Sequence, residues 1–255
     1  MLWYKSWLET RWRFVIGLII LVFSACNAVL AYPEVQKLLV MLPQVDGGGG
    51  LARRIAELAE LAREYRGYVW SQWFLQNMSE QVALFAVLLG TGGLLSQANG
   101  GGGLFTLSLP VSRTRLLGVR AATGLAELLV LTVVPSLVIP LLSPTIGQTY
   151  GVGDALVHAV CMFVAGSVFF SAAFLLSTVF RDIWRPALIV ICAAVVLALA
   201  EQLFRGSLGF GLFAVMSAES YFRGDGLPWF GLFASTTVSA AVLYAATRNI
   251  ARQDF

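Results

Sequence analysis

The sequence predicts an all-α integral membrane protein with six transmembrane helices, an N-terminal interfacial amphipathic helix and an external helical loop. Three observations carry this reading. Charged residues make up 12% of the 255 positions and AVILMFWYC residues 58%, whereas a soluble domain carries about 25% charged residues; such a chain has too few charges to cover a water-facing surface. Six long apolar runs are present, and a helix needs roughly 20 mostly apolar residues to cross about 30 Å of hydrocarbon. Basic residues also fall unequally on the two sides that those runs define.

The runs lie near Phe14–Ala31, Val82–Gln97, Val119–Leu142, Leu156–Phe180, Ala187–Phe204 and Trp229–Thr247, so that 1–255 reads as a single transmembrane domain with little chain left for a soluble one. The first run is read as a retained span. It follows a long aromatic leader and ends in Ala31-Tyr32-Pro33-Glu34 without a clear small-x-small cleavage site. Asn77 and Glu80 have capping-box spacing ahead of the second run, Asp154 is placed to cap the fourth, and Pro186 and Pro228 suit first-turn positions. Pro135 and Pro140 are expected to kink the third.

With the N-terminus inside, the inner segments hold Lys5, Arg11, Arg13, Arg113, Arg115, Arg120, Arg181, Arg185, Arg248 and Arg252 against three acids, Glu9, Asp182 and Asp254. The outer segments hold seven basic residues against ten acidic ones, and five of the seven lie in one long loop. By the positive-inside rule both termini face the cytoplasm. The formal charge of +3 therefore reflects sidedness and does not point to nucleic acid.

Within 1–13, Trp3, Trp7, Leu8 and Trp12 fall near one helical face, and Lys5, Glu9 and Arg13 are spaced four apart on another. Trp favours the membrane boundary, and Lys and Arg favour anionic lipid. Trp3, Trp7, Arg11 and Trp12 are therefore expected to hold a helix flat on the inner surface, in contact with membrane lipids; on these residues alone, a simple anchor is the plainer role. In the external loop 32–78, Leu51, Ile55, Leu58, Ala62 and Tyr65 have helical spacing, and Gly47–Gly50 forms a joint ahead of them. The segment 205–228 is rich in Gly and Phe, too apolar for an ordinary loop and too interrupted for a crossing, so an external or re-entrant hairpin is expected there.

No catalytic or metal-ligating constellation is visible. There is one histidine, His158, with no HExxH or GxSxG, and it reads as a helix-packing or interfacial residue. Cys26, Cys161 and Cys192 lie within spans, odd in number and without CxxC spacing, and read as small packing residues. Gly100–Gly103 are not followed by the Lys and hydroxyl residue of a phosphate loop; this chain is expected to bind no ATP and no other cofactor itself. Glu127 is the one ionisable side chain well inside a predicted span. Burying a charge there costs about 2.5–3.5 kcal/mol on an insertion scale. With no basic partner visible within the membrane, a functional carboxylate and a hydrogen-bonded packing carboxyl remain equally open.

One segment is specific. The string Leu104-Phe105-Thr106-Leu107-Ser108-Leu109-Pro110-Val111-Ser112-Arg113-Thr114-Arg115 and its continuation to Arg120 carry several basic residues and no acid. It resembles the cytoplasmic segment of type 2 ATP-binding-cassette exporter permeases, in which a "slPvsR" pattern precedes the third span. The Trp- and Arg-rich leader, the six spans, the apolar segment before the sixth and the Arg252-Gln253-Asp254-Phe255 ending are similar to the same family. This chain departs from the family at Ser96-Gln97-Ala98-Asn99 and the four glycines that follow, where members commonly carry charged residues.

The resemblance implies a non-enzymatic permease subunit in the plasma (cytoplasmic) membrane of a prokaryote. It would work with separate ATPase subunits, which would bind ATP and Mg, and with a second permease copy in a homodimer or heterodimer. The segment 98–118 would be the coupling element, with Leu109, Pro110, Arg113 and Arg115 contacting the motor. Pro110 breaks the helix and restricts Leu109, while Arg113 and Arg115 offer multi-donor groups to a carboxylate or a lipid phosphate. The alternatives are a non-transporting membrane scaffold, and a secondary transporter or channel using Glu127.

Overall fold

The computed structural model describes residues 2–41, 59–92, 113–180, 182, 184–203 and 211–251. Every regular element among them is helical. Five helices are long and apolar enough to cross a membrane, which makes this an all-α, multi-pass membrane protein.

Helix α1 (Leu2–Met41) is unbroken, so the leader and the first apolar run, read from the sequence as two elements, form one helix that continues through Pro33. Its buried face starts polar, with Ser6 and Thr10, and turns apolar through Leu21, Ala25, Val29 and Tyr32. Trp3, Trp7 and Trp12 point away from the protein.

A second continuous helical run joins α2 (Tyr65–Tyr68), a π-helix (Val69–Met78) and α3 (Ser79–Gly90). This run begins earlier than the predicted second span and stops at Gly90 rather than Gln97. Its first half is interrupted by Ser71, Gln72, Gln76 and Asn77, which hides it from an apolar count. Asn77 is no cap: it lies inside the run and donates from Nδ2 to the Gln72 carbonyl. The stop is built by Thr91 in extended conformation and Gly92 at φ +97°, a conformation that favours glycine and commonly ends helices. The predicted linker glycines 47–50 and 100–103 lie outside the described residues, as do Leu51, Ile55 and Leu58.

Helix α4 (Arg113–Leu142) contains both Pro135 and Pro140 and passes into a 3₁₀ turn (Ser143–Ile146). Helix α5 (Val152–Ser177) has Gly151 as its N-cap, without a side-chain cap bond. Asp154 therefore does not cap it; that carboxylate receives the Tyr221 hydroxyl at 2.6 Å instead. Helix α6 (Trp184–Leu203) follows, then two short helices, α7 (Leu212–Met216) and α8 (Glu219–Arg223), and finally α9 (Trp229–Ala251).

The long elements alternate in direction. Arg13 of α1 bonds the Thr91 carbonyl after α3, Tyr65 of α2 bonds Ser143 after α4, and Asn249 of α9 bonds Thr178 after α5. Both described chain ends thus lie at one end of the bundle. α5 is its centre: 61% of its most apolar stretch is buried against 17% for α6. It packs on α3, α4, α6, α7 and α9. Two glycines allow close approach to α5, since a Cβ on Gly90 would stand 2.5 Å from the Phe170 carbonyl oxygen and one on Gly124 would stand 2.5 Å from the Phe170 ring.

The described part of 205–228 is a helical hairpin whose bend, Ser217 and Ala218, is fully buried. Ala218 takes φ +51°, and the Ser217 carbonyl accepts both the Trp70 indole N–H and the His158 Nδ1–H at 3.0 Å. His158 also stacks on Phe74 at 4.3 Å and is thereby a packing residue, as its isolation in the sequence indicates. Of the cysteines, Cys161 is buried, Cys26 half-buried and Cys192 exposed; the packing role expected for Cys192 does not hold, because its side chain is exposed.

Candidate functional site

The densest buried polar group joins three elements at the end of the bundle that carries the N-terminus. α1 contributes Glu9, Thr10 and Arg13; the end of α3 contributes the Leu88 and Thr91 carbonyls; α4 contributes Arg120 and Glu127. The residues of α1 reach inward because Ser6, Thr10, Arg13 and Gly17 recur at helical spacing on one face. On α4, Arg120 and Glu127 lie two turns apart, also on one face.

Arg120 donates from Nη1 to Glu9 Oε2 at 2.8 Å and from Nη2 to the Thr91 carbonyl at 3.3 Å. Its side chain is 9% exposed and that of Glu9 27%, so this is an ion pair of the interior edge rather than of the surface. Arg13 donates from Nη1 to the Leu88 carbonyl at 2.8 Å and to the Thr91 carbonyl at 3.0 Å. These carbonyls are the ones a helix end leaves without intrahelical donors, and two guanidinium groups there also meet the negative end of the helix dipole. Gly92 makes the approach possible, because a Cβ there would stand 3.0 Å from Arg120 Nη2.

Glu127 is 5% exposed and accepts the Thr10 hydroxyl at Oε1, at 2.6 Å. Among the described residues its Oε2 and the Arg120 Nε are buried without a hydrogen-bond partner. Two acids and two arginines stand together, so the group is balanced in charge, as buried charge must be to persist. A sequence reading that finds no basic partner for Glu127 misses this arrangement, because Arg120 counts there as a loop anchor. Arg13 and Glu9 likewise count as an exposed face of the leader.

The predicted site residues fare differently. Leu109 and Pro110 lie outside the described residues, as do 93–112 as a whole. Arg113 opens α4, and Arg115 is exposed in its first turn. Trp3, Trp7, Arg11 and Trp12 are on the outward face of α1, with the Arg11 guanidinium 5.5 Å from the centre of the Trp12 ring. None of these four enters the cluster. The signal that would have located the cluster is the row of small and polar residues Ser6, Thr10 and Gly17 in an otherwise bulky helix.

A second polar group occupies the opposite end. Tyr65 shares a hydrogen bond with Ser143 at 2.7 Å, the Tyr68 hydroxyl donates to the Ala28 carbonyl, and Arg66 lies 3.7 Å from Asp154. Burial raises the Tyr150 phenol above its ordinary range, and the hydrogen bond to Asp154 raises that of Tyr221; both therefore remain neutral donors at physiological pH. Among the described residues no three His, Cys, Asp or Glu side chains are grouped so as to hold a metal ion. No protein-family model, curated protein or solved structure matches this chain.

Proposed function

We propose that this chain is the membrane-spanning permease subunit of an ATP-driven exporter, with ATP hydrolysis supplied by separate motor subunits and a second permease copy completing the pathway. In this reading the run Tyr65–Gly90, which holds as many residues as α5, is the sixth span. Both termini then face the cytoplasm. The exposed aromatic residues fit that placement: Trp3, Trp7, Trp12 and Trp184 fall toward one end, and Trp229, Phe230 and Phe233 toward the other, as the two interfacial belts of a membrane protein do.

The observation that carries the proposal is the fastening of the basic segment's two ends. Gly92 and Arg113 flank the segment 93–112 in the chain, and at the end of α3 Arg120 and Arg13 tie α3, α4 and α1 together through buried charge. A push on the segment from a motor subunit reaches three spans at once, because a buried, hydrogen-bonded charge pair resists separation. Arg115 is exposed and available to an acidic surface on the motor. Glu127, bonded to Thr10 beside the two arginines, has the surroundings of a packing carboxyl, which favours the permease over an ion-coupled carrier.

The test is charge reversal, Arg113→Glu with Arg115→Glu, in the chain reconstituted with the ATPase that co-purifies with it. ATP hydrolysis uncoupled from export, with insertion into the membrane unchanged, is the expected result. Normally coupled transport in the double variant, or the lack of any co-purifying ATPase, defeats the reading.

A further inference from the structure

At the end of the bundle opposite the ion cluster, a cavity of about 300 Å³ opens between the start of α2 and the turn leading into α5. Glu64, Arg66, Gln148, Thr149, Tyr150 and Asp154 are among its walls. That volume is at the small end of ligand sites and suits a single ring rather than a chain. The cavity lies away from the Glu9–Arg120 cluster, and its chemistry is independent of the transport reading.

The arrangement of charge selects the ligand. Arg66 Nη2 and Asp154 Oδ2 are 3.7 Å apart, too far for a hydrogen bond, and their side chains are 48% and 29% exposed. Asp154 is held in place by the Tyr221 hydroxyl on its other oxygen at 2.6 Å. Each charged group therefore keeps hydrogen-bonding capacity directed at a third. A hydroxyl is donor and acceptor at once, so it bonds both without parting them. A free anion would face two carboxylates, a free cation would face Arg66, and a zwitterion would have to divide the pair.

The remaining walls agree. Gln148 and Thr149 add neutral donors and acceptors, and Glu64 adds acceptors. Tyr150, whose ring packs against Tyr65 at 6.4 Å and 88° and against Phe74 at 6.3 Å, completes the wall between them. A ring that bears several hydroxyl groups matches a wall that presents donors and acceptors on several sides. We propose that this cavity is a binding site for one sugar ring, a hexose unit bound by its hydroxyls between Arg66 and Asp154.

The experiment uses the full chain in nanodiscs of phosphatidylethanolamine and phosphatidylglycerol. The probes are the methyl α-pyranosides of glucose, mannose and galactose, with glycine and acetate alongside, observed by saturation-transfer difference NMR and titration. Saturable binding of at least one glycoside is expected, weakened about tenfold by Arg66→Gln and by Asp154→Asn, the loss of one hydrogen bond to a charged group. Thr149→Val, at an exposed position, tests the site without disturbing the Tyr221 contact and is expected to weaken binding several-fold. No saturable signal from any of the three glycosides overturns the proposal, as does equal binding by wild type and all three variants. Saturable binding of glycine or acetate in place of the glycosides also overturns it, in favour of a zwitterion or anion site.

Discussion

Replacing Glu9 by Gln removes the charge that balances Arg120 and leaves the packing nearly unchanged. In the variant Arg120 retains its 3.3 Å bond to the Thr91 carbonyl and whatever the neutral amide offers, while its side chain stays 9% exposed. Breaking a fully buried pair from one side costs about 3–5 kcal/mol. Glu9 is 27% exposed, so water screens part of the interaction, and a loss of about 2–3 kcal/mol is expected. For a chain of this size that is a drop in Tm of roughly 4–12 °C. The assay is thermal unfolding in detergent followed by reaction of the buried Cys161 thiol with a fluorogenic dye, in a Cys26→Ala, Cys192→Ala background. Arg63→Gln is the control: its i,i+3 pair with Glu60 has side chains 56% and 70% exposed and is worth at most about 0.5 kcal/mol, so Tm should fall by less than about 2 °C. Arg120→Gln, alone and combined with Glu9→Gln, completes the cycle and should return a coupling of about 2 kcal/mol. A Glu9→Gln chain that melts with the wild type, or single losses that simply add, refutes the buried pair.

Thr10→Val deletes the hydroxyl that Glu127 accepts at 2.6 Å and should lower stability by about 1–3 kcal/mol, because the buried carboxyl loses its donor; the same melting assay reads it. Glu127→Gln should lower stability by about 1–3 kcal/mol, because it removes one of the two acids that balance Arg13 and Arg120, but leave transport close to wild type, whereas loss of an ion-dependent flux in this variant would return Glu127 to a functional role. Gly90→Ala should destabilise by about 1–3 kcal/mol, since the added methyl meets the Phe170 carbonyl oxygen at 2.5 Å. Gly118→Ala, where a Cβ meets nothing within 4 Å, should be neutral or stabilise by up to about 1 kcal/mol in the same helical bundle.

The parts of the fold that the sequence made legible are those in which one physical signal acts alone. α4, α5, α6 and α9 are long apolar runs, and their observed ends fall within a few residues of the expected ones, except that α4 starts at Arg113 rather than near Val119. Where two signals competed, the reading failed. Trp70, Trp73 and Phe74 are buried, but Ser71, Gln72 and Asn77 among them lower the apolar count, so the Tyr65–Met78 stretch reads as loop. The leader's charges suggest a surface face, yet Arg13 points to the end of α3 and Glu9 to Arg120. Those pairings join positions 75 and 111 residues apart and depend on how α1 leans on its neighbours. Local periodicity holds no information about that. The candidate site was accordingly half visible: Glu127 stands out as a lone acid in an apolar run, while the arginines beside it do not.

Helix α6 buries only Pro186, Ala187, Val190 and Ala194, against α5 and α3. Lipid tails are as apolar as the residues they cover, so the hydrophobic effect gives this helix little reason to prefer protein over bilayer. Its lateral place depends on four small side chains and on the Glu201 carboxylate at its end, which receives the Leu212 and Phe213 amide N–H groups of α7. Helix α6 is thus held to the bundle less by apolar packing than by its tether, through Glu201, to the hairpin whose buried bend at Ser217 meets Trp70 and His158.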